Sequence, residues 1–181
     1  MDEVELQQVE SEEQKQEAGS LIREYLQWLN NRPRHEYNIE FDVEAMVQSD
    51  LSDPYKFHLP HGRFYLARPK DRYKDQIAGV GCLKRLETGV GEIQRMYVPP
   101  TYRGRGIGRA ITNRLIDDAR SMGYRKLRLE SLEFLDAAHS LYRSVGFQQI
   151  DPYVHNSMES YQPVEQLDQY CSITVFMEMH L

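Results

Sequence analysis

The feature that most constrains this chain is a run of glycines and arginines between a strand-like segment and a helix. Residues 95–122 read RMYVPPTYRGRGIGRAITNRLIDDARSM, and apolar residues at helical spacing from Ile107 onward predict a helix. Glycine is a poor helix former, so the glycines at this junction must serve a purpose other than helix formation. A first helical turn offers unpaired N–H groups and a positive dipole end, which glycine leaves open to an oxygen-rich ligand. The junction therefore indicates an anion site, with a simple strand–helix turn as the alternative.

Three phosphate-binding patterns compete for this stretch. The GxxxxGK[ST] loop does not occur in the sequence. The dinucleotide pattern GxGxxG matches Gly104 and Gly106 but puts Arg109 where its third glycine packs against a strand. The pattern [Gln/Arg]-x-x-Gly-x-[Gly/Ala] is satisfied by Arg103, Gly106 and Gly108. The third pattern fits best.

Composition argues against several other classes of function. A net charge of −6, from 22 basic and 28 acidic residues, gives no electrostatic support for nucleic-acid binding. Cys82 and Cys171 form neither a disulfide framework nor a CxxC pair. His58 and His61 lack a third nearby ligand, so we expect no metal. Without a membrane-length apolar run or a signal-peptide pattern, the chain is expected to be cytoplasmic, with no membrane partner.

Hydrophobic periodicity predicts an alternation of strands and helices. Helices are predicted at 18–29, 43–47, 107–122 and 135–145. Strands are predicted at 4–10, 63–67, 76–86, 92–98, 126–131, 147–150 and 172–180. We expect the first helix to end at residues 30–33, because Pro33 stands there, and residues 151–171 to be polar and irregular. Two successive polar residues, Gln94 and Arg95, interrupt one strand and suggest a β-bulge.

This order of elements predicts an α/β chain with a mixed, mostly antiparallel sheet flanked by helices. The three central strands read as a meander, and the strand–helix–strand segment over 92–131 adds one parallel crossover. No internal repeat, linker or composition shift divides the chain. We therefore expect a single domain over residues 1–181.

Two motifs resemble the GNAT superfamily of acyl-CoA-dependent N-acetyltransferases. The segment MYVPPTYRGRGIGRAI is similar to the family's strand, glycine loop and helix. The segment AAHSLYRSVGF, residues 137–147, is similar to its second signature, A-x-x-L-Y-x-x-x-G-F. The resemblance implies the GNAT fold, with a cofactor-binding core at about 76–150. It also implies acceptor-side segments at about 12–62 and 151–171.

The resemblance implies acetyl-CoA as co-substrate and suggests which residues contact it. In the family, the backbone at the strand end pairs with the pantetheine arm, and amides of the glycine loop hold the pyrophosphate. The strand-end positions are Met96, Tyr97 and Val98. The loop positions are Arg103, Gly104, Arg105, Gly106, Ile107 and Gly108.

The same resemblance implies direct transfer of the acetyl group to an amine in a ternary complex. Tyr142 would lie beside the thioester sulfur and donate a proton to the leaving thiolate; a core aromatic is the alternative. Glu92 is the first choice as general base, with an exposed strand-end glutamate as the alternative. The reserves for this role are Glu130, Glu133 and His139. Leu135 stands where many members of the family carry an asparagine that contacts the cofactor or acceptor.

Other interpretations stay open at this point. One is a non-catalytic acyl-CoA-binding or sensor module with the same fold. Another is a dinucleotide-binding domain, which Arg109 and the antiparallel meander disfavour. The acceptor is a small-molecule or a protein or peptide amine, and a homodimer is compatible with the family. Acidic residues of the 151–171 segment would attract a cationic amine, although a solvated loop explains them more simply; they are Glu159, Glu165 and Asp168.

Overall fold

Strands and helices alternate along the chain largely as predicted. A computed structural model describes residues 4–70, 76–153, 161 and 164–181. The strands are β1 (Val4–Gln8), β2 (Arg63–Pro69), β3 (Gly79–Glu87), β4 (Val90–Tyr97), β5 (Lys126–Leu132), β6 (Gln148–Ile150) and β7 (Thr174–His180). The helices are α1 (Glu12–Tyr37), α2 (Val43–Ser52), α3 (Ile107–Ser121), α4 (Asp136–Ser144) and α5 (Val164–Ser172). A 3-10 turn, Pro100–Tyr102, separates β4 from α3.

The strands form one mixed sheet in the order β1-β2-β3-β4-β5-β7-β6. Neighbouring strands are antiparallel except β4 and β5, which confirms the predicted meander and the parallel crossover. The parallel pairing begins with Val90 opposite Lys126 and ends with Glu92 opposite Arg128. β5 then continues to Leu132 paired with β7. The two parallel strands therefore separate beyond Glu92 and leave an opening in the sheet.

Helices cover both faces of the sheet, and a hydrophobic cluster lies on each side. Along β2, Phe64 packs into the cluster of α1 and α2, while the next residue, Tyr65, packs into the cluster of α3. Gly81 of β3 allows α3 to lie close to the sheet, because a Cβ there would stand 2.4 Å from Cγ2 of Ile111. Among the described helices, none combines the length and apolar character that crossing a bilayer requires.

The predicted end of α1 at residues 30–33 is wrong, because the helix continues to Tyr37. Its start is fixed by a capping box, in which Ser11 and Gln14 bond each other's backbone N–H groups. Pro33 is buried inside the helix, and its carbonyl accepts hydrogen bonds from the N–H groups of Asn38 and Ile39. Proline disrupts the helix only on its N-terminal side, so the turn that follows can form. Asn38, with φ +53°, ends the helix instead.

The prediction of an irregular 151–171 segment is wrong for its last part, where α5 forms. Leu167, Tyr170 and Cys171 follow helical spacing, and the Tyr170 side chain is buried. Asp168 is exposed on this helix. Glu159 lies outside the described residues, as does the side chain of Glu165.

The predicted β-bulge is confirmed in β4. Cys82 of β3 pairs with Gln94 and Val80 pairs with Tyr97, so Gly81 faces two residues of the bulged strand. Arg95 takes the left-handed conformation there, with φ +55°. Its guanidinium is held by Asp50 of α2, with 2.5 Å between Nε and Oδ2. The buried ion pair between Arg95 and Asp50 therefore connects α2 to β4 at the bulge.

Candidate active site

A cleft of about 550 Å³ opens where β4 and β5 separate. Its walls come from the end of β4, the glycine turn before α3, the start of α4 and the exposed face of α1. The predicted site residues that line it are Met96, Tyr97, Val98, Arg103, Gly104, Gly106, Ile107, Gly108 and Tyr142. Arg105 and Glu92 are not among its lining residues. The opening in the sheet thus brings most of the predicted site into one space.

The turn before α3 has a backbone shaped for close approach. Gly104 and Gly106 have φ of +77° and +84°, which glycine adopts without strain. No atom lies within 4 Å of a Cβ built on Gly104, so the space above this turn is open among the described residues. The first helical bond runs from Ala110 N to Gly106 O. The N–H groups of the first turn of α3 therefore precede the helical ladder and suit an anion such as a pyrophosphate.

Arginine side chains add positive charge around the same turn. The Arg103 guanidinium lies 5.1 Å from the Trp28 ring centre and donates from Nε to the carbonyl of Val98. Arg109 donates to Oγ of Ser144 on α4, at 2.9 Å. Arg105, which does not line the cleft itself, lies over the ring of Tyr102 and donates to the carbonyl of Thr101. The turn combines open backbone with cationic groups held at defined positions.

A second, smaller cavity of about 60 Å³ adjoins the cleft from the side of α1 and α2. Residues that line both spaces are Tyr25, Ile93, Gln94, Arg95, Glu130 and Ser131. Because these residues border both spaces, the cleft and the inner cavity lie against each other where β4 and β5 separate. This shared border is the meeting point of the two spaces.

Comparison with known proteins agrees with this geometry. Residues 18–147 match the acetyltransferase (GNAT) family. The chain belongs to this family. Its membership makes the protein an acyl-CoA-dependent N-acetyltransferase, as the paired motifs predict.

Relatives and solved structures extend the match beyond the motifs. An uncharacterized N-acetyltransferase of Schizosaccharomyces pombe is 31% identical over 137 residues, which are 75% of this chain and 77% of the relative. A GNAT-family acetyltransferase from Staphylococcus aureus superimposes with a TM-score of 0.71, at 19% identity, over 99% of both chains. A Bacillus subtilis acetyltransferase in complex with CoA superimposes with a TM-score of 0.63, at 17% identity, over 99% of both chains. These structures confirm the predicted GNAT fold.

In this acetyltransferase, Tyr142 lies on the buried side of α4. Its side chain is 6% exposed and packs edge-on against Phe147. Burial raises the pKa of Tyr142, so the phenol stays protonated across the neutral range. Leu135 is the N-cap of α4 and lines the cleft, and no side-chain cap bond forms there. An apolar wall thus occupies the position of the family's common asparagine.

Glu92 lies in the wall of the inner cavity rather than in the cleft. The residue is fully buried, and its carboxylate accepts hydrogen bonds from Tyr153 Oη and Gln94 Nε2, both at 2.7 Å. Lys84 Nζ lies 3.1 Å from the same carboxylate. Three donors therefore hold Glu92, which favours a positioning role over direct contact with an amine. Its assignment as general base stays a prediction.

The reserve bases occupy different environments. Glu130 lines both spaces and accepts a hydrogen bond from Tyr170 Oη at 2.8 Å. Glu133 is exposed and accepts from Tyr37. His139 is buried, with Nε2 3.1 Å from Oγ of Ser131, and burial lowers its pKa. Of these groups, Glu130 is the carboxylate at the meeting point of the two spaces.

Sequence reasoning missed Gln94 as a site residue. Its amide lines both spaces, is 8% exposed, and leaves Oε1 without a hydrogen-bond partner among the described residues. The sequence did contain a sign of this role, because Gln94 and Arg95 are two successive polar residues in a strand that is largely buried. His58 and His61 belong to no metal-holding group within the described residues. His58 packs against Phe64, and the carbonyl of His61 accepts from Tyr124.

Proposed function

We propose that this chain transfers the acetyl group of acetyl-CoA directly to an amine in a ternary complex. The observation that carries the proposal is the meeting of the cleft with the inner cavity at the opening between β4 and β5. The cleft extends to the glycine turn, and the inner cavity is lined by the carboxylates of Glu92 and Glu130. The CoA complex of the structurally similar Bacillus subtilis acetyltransferase supports CoA as the ligand of the cleft.

The residues that line the cleft fit the parts of acetyl-CoA. The open turn at Gly104 and Gly106 suits the pyrophosphate, since its N–H groups and nearby arginines favour an anion. Pairing of β4 with β5 stops at Glu92, so the backbone of Met96–Val98 has polar groups on the cleft side for the pantetheine amides. When bound, acetyl-CoA supplies an acetyl group activated as a thioester.

The side chains at the meeting point fit the proton movements of the reaction. The amine nitrogen forms a bond to the carbonyl carbon, the carbon–sulfur bond breaks, and the amine gives up one proton. Glu130 is placed to accept that proton, directly or through water. Tyr142, which stays protonated, is placed to donate a hydrogen bond or its proton to the leaving sulfur. Backbone N–H groups of Met96–Val98 are candidates to stabilise the developing charge on the carbonyl oxygen.

Direct transfer is favoured over an acetylated enzyme. The described cleft lining includes no cysteine; Cys82 is buried elsewhere, and burial raises the pKa of its thiol. Ser131 lies at the meeting point beside His139 and is the hydroxyl to test. We expect no mass gain of one acetyl group when the protein is incubated with acetyl-CoA without an amine. A stable acetyl group on Ser131 would contradict the ternary mechanism.

A thermal-shift panel with acetyl-CoA, CoA, NAD and ATP tests the cofactor. A ligand at a hundredfold excess over its dissociation constant stabilises the folded state by about 2.7 kcal/mol. We expect a raised melting temperature with the two CoA ligands only, and thiol release when an amine is added. A shift with CoA but no turnover on any amine would favour a sensor module. A shift with NAD alone would favour a dinucleotide-binding domain.

A further inference from the structure

The bulge in β4 is held in a strained backbone conformation. Arg95 has φ +55°, and the other non-glycine residue with positive φ in the described part of the chain, Asn38, ends a helix. A residue with a Cβ takes the left-handed conformation at a cost in stability. Such strain persists only where surrounding contacts enforce it, and it is concentrated at functional sites. Contacts around Arg95 must therefore compensate for this strain.

A buried carboxylate supplies those contacts. The Asp50 side chain on α2 is fully buried, and its Oδ2 accepts from Nε of Arg95 at 2.5 Å. The arginine side chain lines both the cleft and the inner cavity. Lys56 Nζ lies 2.6 Å from Oδ1 of the same carboxylate. A buried charge is costly without a partner, and Lys56 keeps Asp50 paired even when Arg95 is removed.

The bulge decides which way the end of β4 faces. Gln94 and Arg95 both lie on the side of α1 and α2, where they line the inner cavity. After this break, Met96 packs against the cluster of α3 and Tyr97 packs into the cluster of α1 and α2. Side chains and backbone polar groups of a strand alternate in direction with a period of two residues, so a shift of one residue reverses both. Loss of the bulge would therefore exchange the backbone groups of Met96–Val98 that face β3 with those that face the cleft.

We propose that Asp50 and Arg95 are positioning residues for acetyl transfer. Their ion pair holds the bulge, and the bulge directs backbone groups of Met96–Val98 into the cleft. The inference rests on the proposed function, because this backbone is the part proposed to bind the pantetheine arm and to stabilise the carbonyl oxygen. It makes α2, which borders the inner cavity through Met46, a determinant of the geometry around the thioester.

Arg95→Gly tests the proposal without leaving a strained backbone or an unpaired charge. Glycine takes φ +55° without strain, and Lys56 still pairs with Asp50, so the variant should fold. We measure kcat from thiol release, with acetyl-CoA and the amine of a panel that the parent acetylates fastest. We expect kcat to fall about 10²-fold, the loss that a displacement of about 1 Å causes. Affinity for CoA, from calorimetric titration, should fall less than kcat, because the glycine turn before α3 is unchanged.

Guanidinium ion gives a readout that a merely structural role would not change. Truncation to glycine removes a side chain that lines both spaces, so added guanidinium can enter beside Asp50 and replace the missing group. We expect guanidinium chloride, below denaturing concentration, to restore most of the lost kcat of Arg95→Gly, with sodium chloride at equal ionic strength as the control. The double variant Asp50→Asn/Arg95→Gly lacks the carboxylate and should show no recovery. Unchanged kcat in Arg95→Gly, a loss that guanidinium does not reverse, or equal recovery in the double variant would overturn the proposal.

Arg68 and Glu17 provide a matched control elsewhere in the sheet. Their side chains join β2 to α1, with 2.5 Å between Nη2 and Oε2, and neither is among the described residues that line the cleft or the inner cavity. Arg68→Ala should lower the melting temperature, keep the parent kcat and show no response to guanidinium.

Failure of the proposed function is distinguishable, since the parent protein would then release no thiol with any amine. Hydrogen–deuterium exchange of β4 measures the bulge without turnover. Faster exchange at Met96–Val98 in Arg95→Gly than in the parent supports its fixation by the ion pair, and unchanged exchange contradicts it.

Discussion

At the residue scale, the buried phenol of Tyr142 is the side chain whose removal should affect chemistry most selectively. Burial keeps it protonated, so it remains a donor near the leaving sulfur. We expect Tyr142→Phe to lower kcat by about 10²-fold, the lower end for a general acid, with little change in KM for acetyl-CoA. Steady-state kinetics measure both constants.

Tyr65→Phe is a matched control for this change. Tyr65 is also buried and donates to Oδ2 of Asp118, but it does not line the cleft. It should lose some thermal stability and keep the parent kcat. If both variants lost activity alike, Tyr142 would be a core aromatic rather than a donor to sulfur.

The two carboxylates that line the inner cavity, Glu130 and Glu92, should respond differently to amide substitution. Glu130→Gln should lower kcat/KM by about 10²-fold and remove the acidic limb of the pH profile, because a base has to be ionised. Glu92→Gln should lower the unfolding free energy by about 3–5 kcal/mol, since it breaks a buried ion pair with Lys84. Urea unfolding and pH–rate profiles separate these effects. Loss of the acidic limb only in Glu92→Gln would return the role of base to Glu92.

At the element scale, glycines with left-handed backbone flank α3 on both sides, Gly104 in the turn before the helix and Gly123 after its end. Gly104 and Gly123 have φ of +77° and +79°, and neither has an atom within 4 Å of a built Cβ. Alanine at either position should cost about 1–2 kcal/mol of stability through backbone strain alone. Gly104→Ala should also weaken acetyl-CoA binding about tenfold, the equivalent of 1.4 kcal/mol, because its methyl group enters the open turn.

Gly123→Ala is the matched control, and calorimetric titration with acetyl-CoA measures the difference. Equal affinities for the two variants would mean that the turn before α3 serves only to connect β4 and the helix.

The β4 strand shows how much of an element the sequence specifies. The polar pair Gln94 and Arg95 predicted the bulge correctly, because strand alternation is a local property. The partner that stabilises it was not predictable, since Asp50 lies 45 residues earlier. Pro33 shows the opposite case, in which a local rule failed. Its burial within the packed face of α1 outweighs the local tendency of proline to end a helix.

At the scale of the whole molecule, stability should depend on pH through buried histidine. Burial lowers the pKa of His139 and of His58 relative to the unfolded chain, so the unfolded state binds more protons. Their contribution is fully present above about pH 6.5 and is lost as the pH falls. We expect the unfolding free energy to decrease below that pH, by at most about 1.4 kcal/mol per pH unit for each histidine.

Urea unfolding of His139→Gln at neutral and mildly acidic pH tests this dependence. The variant should show a flatter pH profile than the parent. His35→Gln, at an exposed position near the end of α1, serves as the control and should keep the parent profile. Identical profiles for all three proteins would remove His139 from the acid response.

The sequence by itself determined the order of elements apart from α5, the glycine turn and the family. These properties depend on neighbouring residues: helical or alternating spacing, the φ freedom of glycine, and two motifs about 35 residues apart. The tertiary structure decided the chemistry of the meeting point. Glu92 and Tyr153 are 61 residues apart, and Glu130 and Tyr170 are 40 apart. Which donors hold each carboxylate, and whether Oε1 of Gln94 has a donor, therefore depends on contacts that form only when the sheet and its helices pack.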